Sequence, residues 1–162
     1  MLGLSYPGGP EIEKQALDGN PLAITFPRPM LESGDYDFSF AGLKTAVRVY
    51  LAENPDFNTQ DVAASFRQAV VDTLVAKTLK AVSEYSPVSV ILSGGVSASK
   101  FLRETLKDKL AIESPLITFH APELKYTGDN AAMIALAGLH RAKKNEFVDP
   151  LTLVADPNLR LA

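Results

Sequence analysis

The sequence predicts an α/β protein with parallel crossovers, and three observations predict it. In the second half, short apolar runs alternate with longer helical patterns, the order that parallel crossovers require. The step Ser93-Gly94-Gly95 stands where one such run hands over to a helix, which is where a parallel sheet places a βα turn. The 162 residues, 46% hydrophobic and 22% charged, suffice for one sizeable core and exclude global disorder.

In chain order, the first 30 residues are punctuated by Pro7, Pro10, Pro21, Pro27 and Pro29. A short helix fits residues 11–17, with Pro10 at its start and Gly19 as its stop. Residues 23–26 read as a short strand, and the alternation Asp37-Phe38-Ser39-Phe40 reads as another. A helix over 42–53 ends at Asn54-Pro55. Asn58 and Asp61 form an N-cap pair opening a long helix to about Tyr85. Val62, Phe66, Val70, Leu74 and Val82 mark one of its faces, and Val71, Val75 and Leu79 another, so that helix is expected to be deeply packed. Residues 88–92 form a strand, 98–111 a helix, 116–119 the next strand and 130–144 the last long helix. A tail over 146–162 carries no site signal.

Composition narrows the chemistry. With 16 basic and 19 acidic residues the net charge is −3, which argues against a freestanding nucleic-acid binder. No cysteine is present, so thiol nucleophiles, thiolate metal sites and disulfides are excluded. No secretory signal precedes Lys14 and no apolar run is long enough for a bilayer, so the expected location is cytoplasmic, without membrane contact. There is no His-Glu-x-x-His and no Gly-x-Ser-x-Gly, which leaves no protease motif.

Three segments could carry a ligand. Gly94 and Gly95, at the carboxyl edge of a parallel sheet, let a ligand approach the backbone, and the following helix offers N–H groups to an anion. The plainer reading is a tight βα turn needing positive φ. Asp129 precedes the helix from Ala131 and either caps it or serves as a carboxylate ligand or base. One carboxylate cannot hold a transition metal, and His120 and His140 stand twenty residues apart and read as non-ligands. In Tyr6-Pro7-Gly8-Gly9-Pro10-Glu11-Ile12-Glu13, a Gly-Gly turn leads into a helix, with Glu13 in its first turn able to accept ribose hydroxyls. Acidic residues suited to the helix dipole are the alternative there. Lys44 either reaches a phosphate or is solvated.

Four motifs stand in order: Tyr6-Pro7-Gly8-Gly9-Pro10, residues 38–45 (Phe-Ser-Phe-Ala-Gly-Leu-Lys-Thr), Gly94-Gly95-Val96-Ser97-Ala98, and residues 129–135 (Asp-Asn-Ala-Ala-Met-Ile-Ala). Together they resemble the C-terminal half of the tRNA N6-adenosine threonylcarbamoyltransferases, formerly labelled O-sialoglycoprotein endopeptidases, over residues 1 to about 145. The resemblance implies one lobe (residues 1–162) of an actin/Hsp70-like, ribonuclease H-like ATPase fold, a mixed sheet with packed helices. It implies transfer of a threonylcarbamoyl group from its adenylate to an adenosine of the tRNA anticodon loop. Carried over position by position, Gly9 and Glu13 fall on the ribose side of the adenylate, Gly94, Gly95 and Ser99 on the adenosine-binding loop, and Asp129 on a ligand of one metal ion, iron or zinc-like. No catalytic residue is assignable.

The chain departs from the family at Ser99, usually Asn, at Ala41, usually Ser, and at Thr127-Gly128, usually Cys-Thr. The first lobe and its two metal-ligating histidines are absent, so the resemblance implies a fragment, inactive alone. It also implies tRNA, partner subunits of the threonylcarbamoylation complex and the missing lobe as partners, with self-association through an exposed interlobe face. The alternative is a non-catalytic nucleotide-binding or assembly module of the same fold.

Overall fold

The computed structural model describes residues 1–156, and part of the expected tail lies outside them. Residues 1–127 form one compact unit and those from Gly128 onward a second.

The first unit is organised around one long helix. After α1 (Gly8–Gln15) and α2 (Ala41–Glu53) comes α3 (Thr59–Tyr85), 27 residues and about 40 Å long. Its start is fixed by Asn58, whose side chain accepts from the N–H of Gln60 at 2.9 Å and of Asp61 at 3.4 Å. Asp61 does not complete a reciprocal box; its Oδ1 accepts instead from the N–H of Asn20 at 2.8 Å, binding a loop from the N-terminal region to the helix. Ser86 ends α3 with φ 46°, a left-handed cap.

The helix is deeply packed as expected, but its apolar faces divide differently: Val82 falls with Val71 and Val75, with Leu74 beside them, and not with Val62. Val71, Val75 and Val82 form one core with Leu102, Leu106 and Leu110. Val62 and Ala69 form another with Phe26, Leu43 and Val47. The alanines at 63 and 64 close a third against Ala16. Each face buries apolar side chains against a different element, which is why no polar stripe runs along this helix.

The sheet is β1 (Ser89–Ile91) and β2 (Thr118–His120), paired in parallel with Val90 opposite Phe119. Between them, a 3-10 turn at Gly95–Ala98 leads into α4 (Lys100–Glu113). The helix starts two residues later than the sequence predicts because Ser99, in extended conformation, is its N-cap. Leu102, Leu106 and Leu110 of α4 are buried toward α3.

Two expected strands do not form. Residues 23–26 lie across α3, with the N–H of Ile24 donating to Ser65 Oγ at 3.1 Å and the Phe26 ring edge-on to Tyr50 at 5.8 Å. Residues 37–40 are irregular; Phe38 and Phe40 stack with centroids 6.5 Å apart. Both segments have the apolar content of strands, but neither has a neighbouring strand to complete a ladder.

The loop before α2 is bound to α3 by charge. Arg28 donates to Asp72 at 2.7 Å. The buried Lys77 ammonium donates to Ser33 Oγ at 2.8 Å, the Asp35 carbonyl at 2.7 Å and the Asp35 carboxylate at 3.1 Å, satisfying its three donors. Tyr36 donates to Glu84, and Lys80 to the Gly34 carbonyl.

In the second unit, α5 (Ala131–Lys143) is capped by Asn130, which accepts from the N–H of Met133 at 3.0 Å. The cap is thus Asn130 rather than Asp129. No residue of α5 is buried, and Met133, Ile134, Leu136 and Leu139 are half or more exposed. Among the described residues no helix is long and apolar enough to cross a membrane.

Candidate functional site

A groove of about 1210 Å³ opens in the first unit, and Gly9, Glu13, Gly95 and Ser99 all line it. These four residues come from two segments almost ninety positions apart, brought together because α1 and α4 both pack on α3. Apolar side chains of α3 and α4, Phe66, Val70, Leu74 and Leu102, supply much of the wall. An apolar wall with a few convergent polar groups is the usual make-up of a small-molecule site.

The two glycine pairs play different parts. Gly94 has φ 86°, a backbone that side-chain-bearing residues rarely adopt, and it makes the βα turn. Gly95 lines the groove, and a Cβ added there would meet nothing within 4 Å. The same is true of Gly9. Gly94 therefore serves the turn and Gly95 the open surface, and Gly94 itself is not among the lining residues. The expected Gly8-Gly9 turn is instead the first turn of α1, which begins at Gly8 after Pro7, so Glu13 sits in the second helical turn.

Glu13 is held on three sides. Ser99 Oγ donates to its Oε1 at 3.2 Å and Oε2 at 3.3 Å, and the N–H of Phe101 donates to Oε1 at 3.2 Å. Arg67 NH1 lies 3.8 Å from Oε1. Ser99 Oγ also accepts from the N–H of Leu102 at 3.2 Å. Two N–H groups in the first turn of α4, those of Phe101 and Leu102, are thus taken by Glu13 and Ser99, which narrows the expectation that this helix offers free N–H groups to an anion. A carboxylate is favoured there by the helix dipole, and Glu13 is that carboxylate.

Arg67 is the residue that sequence reasoning missed. Its one signal is position: it falls on the stripe of Ala63, Val71 and Val75 at i, i+4 spacing, where a cation is tolerated only if partnered.

The remaining candidates lie elsewhere. Lys44 is exposed and lines a smaller groove of about 550 Å³ with Leu2, Phe40, Val47 and Phe66. Asp129 is exposed in the second unit, His120 ends β2 and His140 lies in α5. Among the described residues no three His, Cys, Asp or Glu come together as a metal site. The donor set therefore does not fit a metal held by these residues, and Asp129 would be at most one ligand.

A family model described as tRNA N6-adenosine threonylcarbamoyltransferase matches residues 1–136. Proteins of that name are similar throughout the chain. The one from Thermotoga neapolitana is 46% identical over 159 residues, covering 98% of this chain and 48% of the relative. That from Kosmotoga olearia is 43% identical over 161 residues, covering 99% and 48%. That from Desulfitobacterium hafniense is 47% identical over 165 residues, again covering 99% and 48%. The chain spans about half the length of the curated relatives it matches. With similarity running almost end to end and across both glycine segments of the groove, the chain belongs to the tRNA N6-adenosine threonylcarbamoyltransferase family.

Proposed function

We propose that this chain is the C-terminal half of an enzyme that transfers the threonylcarbamoyl group from threonylcarbamoyl-adenylate to the N6 amine of an anticodon-adjacent adenosine in tRNA. The observation that carries the reading is the groove shared by Gly9, Glu13, Gly95 and Ser99. In this reading Gly95 lets the adenosine approach the backbone, the apolar wall of α3 and α4 takes the base, and Glu13 accepts from the ribose hydroxyls. The amine attacks the carbamoyl carbon, the bond from that carbon to the phosphate oxygen breaks, AMP leaves, and the proton lost by the amine passes to solvent. This half of the enzyme contributes binding and orientation.

The finer fold, an actin-like lobe, is supported by the parallel pair β1 and β2. Parallel sheets are normally larger and covered on both faces, whereas Ile91 is 72% exposed. The rest of that sheet, the other wall of the cleft and two histidine ligands joining Asp129 around an iron or zinc-like ion belong to the absent half. So does the basic surface for tRNA, since this chain is net acidic. The exposed apolar side chains of α5 favour a contact with that half, with a partner subunit or with a second copy. A cytoplasmic location follows from the tRNA substrate.

Those side chains also favour the alternative, a non-catalytic assembly module. Supplying the absent half as a separate chain and measuring threonylcarbamoyl transfer to tRNA separates the two. Activity restored by the mixture supports the enzyme. A silent mixture, from two folded halves that bind each other, favours the module.

A further inference from the structure

We propose that Arg67 is a positioning residue for Glu13, and that the pair sets how the groove discriminates ligands bearing a vicinal diol from those without one. The inference rests on the ligand reading above. Arg67 is a feature of α3, yet its guanidinium is fixed by the elements on either side. NH2 donates to the Ala16 carbonyl at the end of α1 at 3.1 Å. The guanidinium carbon stacks over the Phe101 ring of α4, 4.3 Å from its centroid. Its NH1 faces Glu13 Oε1 at 3.8 Å. The side chain is only 13% exposed, so one rigid cation joins three helices at the carboxylate.

The consequence falls on the two oxygens of Glu13 unequally. Oε1 accepts the N–H of Phe101, shares the Ser99 hydroxyl and faces Arg67. Oε2 has only its share of the Ser99 hydroxyl, at 3.3 Å, and the Glu13 side chain is 26% exposed. A carboxylate oxygen has two acceptor positions, so Oε2 keeps capacity for a hydroxyl donor arriving from the groove. Arg67 and Phe101 both engage Oε1, which leaves Oε2 as the oxygen with acceptor capacity to spare. An acceptor already oriented and charged is stronger toward a neutral donor than a mobile one. A purely structural role for Arg67 predicts no such selectivity.

The test is titration of the 162-residue chain with AMP and with 2′,3′-dideoxy-AMP, comparing wild type with Arg67→Met and Arg67→Lys, each with its melting temperature. Wild type is expected to prefer AMP by about tenfold, the order of a hydrogen bond to a charged group. Arg67→Met should bring that ratio close to one by weakening AMP alone, with dideoxy-AMP binding unchanged. Arg67→Lys keeps the charge but loses the planar stack and fork, and should give an intermediate ratio even where the Met variant does not fold. An unchanged ratio in a folded variant, or equal loss of both ligands, overturns the role of Arg67 while leaving the nucleotide reading intact. Absence of AMP binding by folded wild-type chain overturns the ligand reading, and the role of Arg67 with it.

Discussion

Ser99 and Glu13, eighty-six positions apart, share a hydrogen bond of 3.2 Å, and the same Ser99 oxygen caps α4 through the N–H of Leu102 at 3.2 Å. One hydroxyl thus starts a helix and fastens α1 to it. Ser99→Ala removes both interactions and is expected to destabilise the chain by about 1 kcal/mol, the usual loss for an N-cap. Ser99→Asn can still cap and should lose less. Urea denaturation of the three proteins checks the order; an alanine variant as stable as wild type would contradict it.

Gly19 approaches α3 so closely that a Cβ there would stand 2.0 Å from the Gln60 carbonyl oxygen and 2.4 Å from its carbon. Both atoms are backbone and cannot turn aside. Gly19→Ala should therefore cost about 3 kcal/mol or more, at the upper end of overpacking effects, visible as a large drop in melting temperature. Gly95→Ala, with open space at its Cβ, should melt close to wild type.

Leu110 is 2% exposed in the core shared by α3 and α4. Truncation to alanine removes buried methyl groups and leaves a cavity, so a loss of about 3 kcal/mol is expected. Denaturant titration measures it, and a loss under 1 kcal/mol would mean that α4 is not packed as described.

The loop over α3 should make stability depend on pH at both ends. The Ser33 hydroxyl, and after it the Lys77 ammonium, hold Asp35 below the usual carboxylate value. A lowered pKa gives stability that is present above about pH 4, the unfolded value, and lost as pH falls through the folded one. The hydrogen bond to Glu84 raises Tyr36 above the usual phenol value. That contribution is present below about pH 10 and lost as pH rises through the folded value. Asp35→Asn should flatten the acid limb of a stability profile and Tyr36→Phe the alkaline limb. Unchanged limbs in both variants would refute these assignments.

The long helix and the βα step were legible because their signals are local. Asn58 caps within three residues, valines recur along α3, and Gly94 alone carries the positive φ of the turn. The parallel pairing followed from the alternation of runs. Residues 23–26 and 37–40 have the apolar content of strands but no strand partner, and the sequence of the first says nothing of Ser65 on α3, which takes the Ile24 N–H. At the groove, the glycines and acidic residues were legible as motifs, but their convergence depends on packing. The occupation of the α4 N-terminus by Glu13 and the fixing of Arg67 between Ala16 and Phe101 arise only once three helices meet.

The most direct measurement is calorimetric titration of the chain with AMP, wild type against Gly95→Leu. The added side chain at residue 95 enters the groove and not the core, so melting should be unchanged. The account predicts AMP binding by wild type and at least about tenfold weaker binding by the variant, a difference of about 1.4 kcal/mol. Equal binding by both, or none by a folded wild-type chain at millimolar AMP, would contradict a nucleotide site in this groove.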